Sequence, residues 1–415
     1  MKSNRLTTYI IVGMIAGIVA GYICHASFPA SSTGFAATAS LLPTAFLRLI
    51  KMIIAPLVFA TLVVGIGKMG DIATVGRVGG KALGWFICAS LISLTLGLML
   101  VGWLEPGKSM QLEIPAADAA SGVEATGLSL QGFITHLIPT SIFDAMARNE
   151  ILQIVIFSLF FGTAMAALGE RARAVIDALD AVSHIMLKVT GYVMMFAPLA
   201  VFGALASIVA KEGLDIIRVY GVFVGEFYLG LFLLWAVLIA LGSVFIGPSV
   251  LRLIRRLREP ILLAFSTASS EAAYPKTLEE LERFGCSNRI ASFVLPVGYS
   301  FNLDGSMMYC TFAVMFIAQV YGIDISIGQQ LVMVAILMLT SKGMAGVPRA
   351  SLVVIAATLP QFGIPEAGML LLLGIDHFLD MGRSATNVIG NSIATAAVAK
   401  WEGELQSGAH AARTE

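Results

Sequence analysis

Charge is scarce in this chain. Lys, Arg, Asp and Glu make up 13% of 415 residues, where a soluble domain carries about 25%. The 26 cations balance the 26 acids, so there is no basic or acidic excess to address a nucleic acid or an oppositely charged surface. Cysteine is rarer still. Cys24, Cys88 and Cys310 lie in apolar stretches, Cys286 follows a charged segment, and neither a CxxC nor a Cys/His cluster occurs. That excludes a disulfide framework and a zinc or redox centre. The five histidines are scattered. What is abundant is apolar: 58% hydrophobic residues and a mean hydropathy of +0.88. No soluble core of this size needs so much. The composition implies an all-α polytopic membrane protein. Its 41 glycines and 14 prolines imply helices that are often interrupted, which in a membrane points to a pathway rather than an anchor.

A bilayer-spanning helix takes about 20 apolar residues. Candidates lie at 7–28, 40–68, 78–103, 150–169, 176–209 and 216–248. The first is long enough to span, so no cleavable signal peptide is predicted. Beyond these, 251–285, 289–321, 327–362 and 366–401 are apolar but carry polar, Gly- and Pro-containing breaks. Cations gather before the first span (Lys2, Arg5), between the second and third (Lys68, Arg77, Lys81), after the fourth (Arg171, Arg173) and after the sixth (Arg252, Arg255, Arg256, Arg258). This predicts cytoplasmic N- and C-termini. Ser266–Pro275 (STASSEAAYP) and Ser341–Ser351 (SKGMAGVPRAS) interrupt two apolar segments. Backbone cannot stay unpaired in lipid. Two re-entrant helical hairpins, the first entering from the cytoplasm and the second from outside, satisfy that constraint. Two kinked ordinary spans are the plainer alternative.

Three groups of polar residues lie where lipid should be, and such residues are costly and usually functional. Asp376, Asp380, Arg383, Asn387 and Asn391 are spaced 4, 3, 4 and 4 apart, which puts them within roughly 80° of one helix face. This stripe is either a structural network, with Asp380 paired to Arg383, or a ligand site, since a planar guanidinium suits a carboxylate. In FNLDGSMMY (301–309), Asn302 and Asp304 beside Gly305 make either a polar kink or an oxygen cage for a small cation. At the interrupted segments, Ser269 and Ser270 can offer hydroxyls and N–H groups to an anion. Arg349 is either solvated or within reach of Asp380.

In order and spacing, STASSEAAYP, NLDG, SKGMAGVPRAS and DMGRSATNVIGNSIATAAVAKWEGEL resemble the dicarboxylate/amino acid:cation symporter family, to which glutamate transporters belong. The resemblance implies eight spans, two opposed hairpins, a homotrimer in the cell inner membrane, and a transport core that moves elevator-fashion against a scaffold. The scaffold would be about 7–68 and 150–209, the core about 78–103 and 216–401, and 402–415 a cytoplasmic tail. It further implies that Arg383 binds a side-chain carboxylate, Asp380 an amino group, and Asn387 with Ser270 an α-carboxylate. Ser306, Val347 and Ser384 would line the pocket, with Ser269 and Arg349 at the hairpin tips. Asn302, Asp304, Asn391 and Ser90 fall where the family holds sodium.

Departures from the family pattern shift the expected chemistry. Asn391 stands where sodium-coupled members usually have Asp, and Phe86 and Ala89 where oxygen ligands are common. Cys310 replaces a glutamate associated with proton movement in animal carriers, and Ala268 replaces the arginine of the first hairpin. The expected activity is therefore uptake of glutamate or aspartate, with protons favoured over sodium and Asp304 and Asp376 as proton carriers. Uptake of a C4-dicarboxylate is the alternative. No cofactor is expected, and no enzyme: the nearest constellation, an aspartic-protease pair, fails because Asp376 and Asp380 share one helix beside Arg383. A channel is a third possibility.

Overall fold

A computed structural model describes residues 3–67, 72–109, 115–116, 137–213, 215–341 and 350–406. The described residues are nearly all helical, and their single β-bridge joins Cys286 to Leu405. The main helices are α1 (Ser3–Ser27), α2 (Leu41–Gly67), α3 (Ile72–Leu104), α4 (Ile151–Leu168), α5 (Arg173–Val193), α6 (Ala197–Glu212) and α7 (Asp215–Ile246). They are followed by α8 (Arg258–Thr267), α9 (Tyr274–Phe284), α10 (Asn288–Phe301), α11 (Asp304–Val320), α12 (Ile327–Thr340), α13 (Ala350–Thr358) and α14 (Asp376–Trp401). Six helical stretches among them are long and apolar enough to cross a membrane, as expected where a helix is the way to pair every backbone group inside lipid.

Two expectations need correction. The run 176–209 is not one span: it breaks at a 3-10 turn, Met194–Phe196, and Pro198 sits in the first turn of α6. Proline fits a helix start and disrupts a helix interior. The last segment begins as short turns over Glu366–Met369, and its long helix starts only at Asp376. At 26 residues α14 is about 39 Å long, yet Asp376, Asp380, Arg383 and Lys400 keep it out of the apolar set.

Near the first polar interruption, α8 and α9 have 10 and 11 residues, about 15 Å each, or half a bilayer core. Lys276 pairs with Glu259 at 3.9 Å and Arg256 with Glu280 at 3.8 Å. Both pairs are disposed symmetrically about Ala268, so the two arms fold back on each other there. Ala268 turns the chain with a left-handed φ of +49°. Lys276 and Glu259 expose only 12% and 3% of their side chains, and Lys276 also pairs with Glu279 at 2.9 Å and Glu280 at 3.4 Å, so one buried cation gathers acids from both arms. The tip of the second interruption, including Val347 and Arg349, lies outside the described residues.

Helix packing falls into two groups. In one, α1 runs along α6, while α2 packs against α4 and α5. In the other, α14 is central and packs against α7, α8, α10 and α11, while α11 also packs along α3. Every residue of α14 from Leu379 to Ala399 is buried, so its polar stripe faces protein on all sides. Close approach requires glycine at two crossings. A Cβ on Gly390 would collide with Asp304 Oδ2, and one on Gly298 with Asn391 Oδ1.

One end of this second group is tied by the chain that follows α14. Glu402 accepts from Arg77 Nη2 at 2.9 Å and Lys81 Nζ at 2.6 Å, both on α3. Arg289 pairs with Glu404. Ser287 N donates to Glu404 O at 3.1 Å, and Gln406 N to Gly285 O at 2.9 Å. Trp85, Phe245 and Trp401 meet edge to face at the same end.

Two outcomes are expected. The hydrogen bond from Arg77, with Lys81 beside it, holds the Glu402 carboxyl below the ordinary carboxylate range. A depressed pKa stabilises the fold above the ordinary range and ceases to do so as pH falls through the folded value. Protection factors at Ser287 and Gln406, taken against the intrinsic exchange rate at each pH, should therefore fall on acidification, and in Glu402→Gln they should be low at every pH; protection that ignores both changes would contradict this. Gly390→Ala should destabilise by about 1–3 kcal/mol through overpacking, read as a lower melting temperature in detergent. Gly34→Ala, with open space around it, should not.

Candidate functional site

The site is built where three helices interrupt or cross. α10 ends at Phe301 and α11 begins at Asp304, so Asn302 and Leu303 bridge two helices, as the sequence predicts. α14 crosses this break. Trp235 Nε1 donates to Thr386 Oγ1 at 2.7 Å, and Tyr228 OH to Phe378 O at 2.7 Å, so α7 fixes the rotation of α14.

Arg383 is fully buried. Its Nη2 lies 3.0 Å from Asp376 Oδ1 and 2.9 Å from Asp380 Oδ1. Its guanidinium sits 4.1 Å from the centre of the Tyr309 ring, a cation–π contact strengthened by the burial of both side chains. Nε and Nη1 are buried with no hydrogen-bond partner. Orphaned buried donors are costly, and these two suit the oxygens of a carboxylate. The structural pairing weighed from sequence is thus present, and it leaves donors over.

One turn along α14, Asn387 Oδ1 accepts from Gly305 N at 2.9 Å and Nδ2 donates to Ser306 Oγ at 3.2 Å. Ser384 is buried on the same helix. In the tip between α8 and α9, Ser269 Oγ accepts from Ala272 N at 3.3 Å, capping the short turn. The Ser270 hydroxyl is buried and has no partner.

A second cluster lies one turn further. Asn302 Nδ2 donates to Asp304 Oδ2 at 2.9 Å and to Asn391 Oδ1 at 3.3 Å. Asp304 Oδ1 accepts from Ser93 Oγ at 3.2 Å. Asp304 needs a donor, which sets the Asn302 amide with its nitrogen inward and strands Asn302 Oδ1 and Asn391 Nδ2 without partners. Turning the Asn302 amide would exchange that nitrogen for an oxygen ligand.

The structure therefore gathers Asp376, Asp380, Arg383, Asn387 and Ser306 in one cluster, and Asn302, Asp304 and Asn391 in another. Ser90 directs its hydroxyl to Phe86 O on its own helix. Ser93, one turn on, is the serine that reaches Asp304. Sequence reasoning passed over Ser93 and Tyr309. Ser93 had a signal, a second hydroxyl three residues from Ser90 on the same helix face. Tyr309 had none beyond its place in the NLDGSMMY run.

The family described as the sodium:dicarboxylate symporter family matches residues 6–401. Among its relatives, the C4-dicarboxylate transport protein of Bacillus subtilis (strain 168) is 39% identical over 405 residues, 97% of this chain and 93% of that one. The protein of the same name from Laribacter hongkongensis is 38% identical over 412 residues, 98% and 92% of the two chains. The proton/sodium-glutamate symport protein of Bacillus caldotenax is 38% identical over 410 residues, 97% and 96%. The chain belongs to the sodium:dicarboxylate symporter family, and is an integral membrane transporter rather than an enzyme.

Proposed function

We propose that this protein is a secondary symporter of the cell inner membrane that takes up a small C4-dicarboxylate together with a coupling cation. The observation that carries the reading is Arg383, fully buried with Nε and Nη1 unpartnered. One substrate carboxylate would engage those donors, and Asn387, Ser384, Ser306 and Ser270 would meet the other end. The sequence alone put acidic amino acids first. Most of the similar relatives carry the C4-dicarboxylate name, which favours the alternative. One observation keeps the amino-acid reading alive: Asp380 stands 2.9 Å from Arg383 with 8% of its side chain exposed, placed to receive an ammonium group.

In this reading α8 and α9 form a re-entrant hairpin, and a second, opposed one is centred on 341–351. Both termini are cytoplasmic, and eight spans complete the fold. The group around α14 would move elevator-fashion against the group around α2 and α6, within a homotrimer. Protons are favoured over sodium as the coupling ion. Asn391, which brings no charge to the second cluster, and Phe86 and Ala89, which bring no side-chain oxygen, support this. Asp304 and Asp376 are the proton carriers in this scheme, with Asn302, Asp304, Asn391 and Ser90 the sodium site if sodium couples. Val347 and Arg349 would approach the same substrate.

Proteoliposome uptake of labelled succinate, aspartate and glutamate under separate Na⁺ and H⁺ gradients tests the whole reading. Succinate should compete at least as well as aspartate, and an inward pH gradient should drive uptake in sodium-free buffer. Strong preference for aspartate would return Asp380 to the role of ammonium ligand. A requirement for Na⁺ with indifference to the pH gradient would make Asp304 a sodium ligand. In Arg383→Ala protein checked by gel filtration to be folded, substrate affinity should fall ~10²–10⁴-fold, because a buried substrate carboxylate would lose its cation. Wild-type affinity there would overturn the site.

A further inference from the structure

Glu226 belongs to neither cluster. It lies inside the apolar span Tyr220–Ile246 of α7, six residues and therefore about 9 Å from its start. It is half-buried. Its Oε2 is buried and has no hydrogen-bond partner. On one side stand the fully buried Phe223 and Phe227, and on the other the exposed Val222, Leu229 and Leu233. The carboxyl thus sits on the seam between the packed face and the apolar outer face of α7. It is level with the substrate cluster: Phe227 meets Tyr309 edge to face at 5.5 Å, and Tyr309 underlies Arg383.

Charged and titratable groups occur on every helix packed against α7. They are Asp304, Tyr309 and Cys310 on α11, Asp376, His377, Asp380, Arg383 and Lys400 on α14, Arg77, Lys81 and Cys88 on α3, Lys108 in the turn Pro106–Ser109, and Arg252, Arg255 and Arg256 in the helix Ser249–Arg256 that follows α7. Among the described residues none of them hydrogen-bonds or ion-pairs with Glu226. A carboxylate without a counter-charge is far more expensive in an apolar span than the neutral acid, and ionisable groups in such positions are functional candidates by default, proton relays among them.

We propose that Glu226 is a proton-binding site on the seam of α7 that carries a coupling proton through the transport cycle. This rests on the symporter reading for its role, though not for its protonation. As the neutral acid it travels with α14 past apolar surroundings. Where it meets water it releases the proton, and the charged form then resists re-entry. Glu226 would act without touching the transported molecule.

The chemistry of a neutral carboxyl in lipid is directly testable. Dicyclohexylcarbodiimide partitions into bilayers and reacts with the protonated acid. The carboxyl oxygen bonds the central carbon, the proton passes to nitrogen across one C=N bond, and no group leaves. Migration of the acyl group from oxygen to nitrogen then fixes the adduct. In the full chain in proteoliposomes, mass spectrometry should find Glu226 modified, increasingly so as pH falls, and E226Q unmodified at that position. Separately, E226Q should retain substrate exchange at near wild-type rate. It should lose about tenfold in accumulation ratio per unit of imposed pH gradient, the drive of one proton. E226D should keep both activities, which guards against a folding defect in E226Q. Accumulation by E226Q that follows the pH gradient as in wild type, or a Glu226 that the carbodiimide leaves untouched at acid pH, would overturn the proposal. If instead the wild-type protein exchanges neither succinate nor glutamate, the symporter reading fails, while labelling still reports on Glu226.

Discussion

The buried guanidinium of Arg383 is the constraint on which the rest of the structure turns. A fixed positive charge cannot be neutralised by losing its proton, so the protein must surround it. It does so with Asp376 one way along the helix, Asp380 nearer by, and the face of Tyr309. Two of these partners are on Arg383's own helix, so the pairing survives any movement of α14 as a unit. The same pairing forces α14 into the interior, because three ionisable groups on one face cannot look into lipid. That in turn explains why the most polar long helix is also the most enclosed.

Enclosing α14 sets demands on its neighbours. α10 and α11 must break beside it, and the break supplies Asn302, the amide of Gly305 and the carboxylate of Asp304. α7 must hold its rotation, which Trp235 and Tyr228 do through one hydrogen bond each. Gly390 must have no side chain, or Asp304 could not lie against it. The segment after α14 then ties its end to α3 and to the turn before α10. Each device is local, and together they make one body out of helices far apart in sequence.

Much of this was legible in the chain. Apolar run lengths marked α1 to α4 and α7, because lipid imposes a length on any spanning helix. The 4, 3, 4, 4 spacing marked the polar stripe, because helical periodicity fixes which residues share a face. The polar runs at Ser266–Pro275 and Asn302–Gly305 marked true interruptions. The break before Pro198 was hidden, since apolar composition continues through it. The contacts of Ser93 with Asp304, of Tyr309 with Arg383 and of Glu402 with Arg77 and Lys81 were also hidden, because each joins residues far apart in the chain. Glu226 is a lone acid in an apolar run, and it is its place on the seam of α7 that gives it meaning.

Charge balance ties substrate to coupling ion. In the two clusters one guanidinium faces three carboxylates, those of Asp304, Asp376 and Asp380, and all are buried. With every acid ionised the site is already negative before any substrate arrives. A dicarboxylate dianion would add two further negative charges, and burying them uncompensated would cost far more than hydrogen bonds return. Cations must therefore enter with the substrate, as protons on the acids or as metal ions among the oxygens. An acidic amino acid brings one positive charge of its own, so it needs one fewer cation than a dicarboxylate in the same cavity. Substrate preference and ion stoichiometry are thus two readings of one electrostatic condition, and co-transport follows from the burial of the site itself.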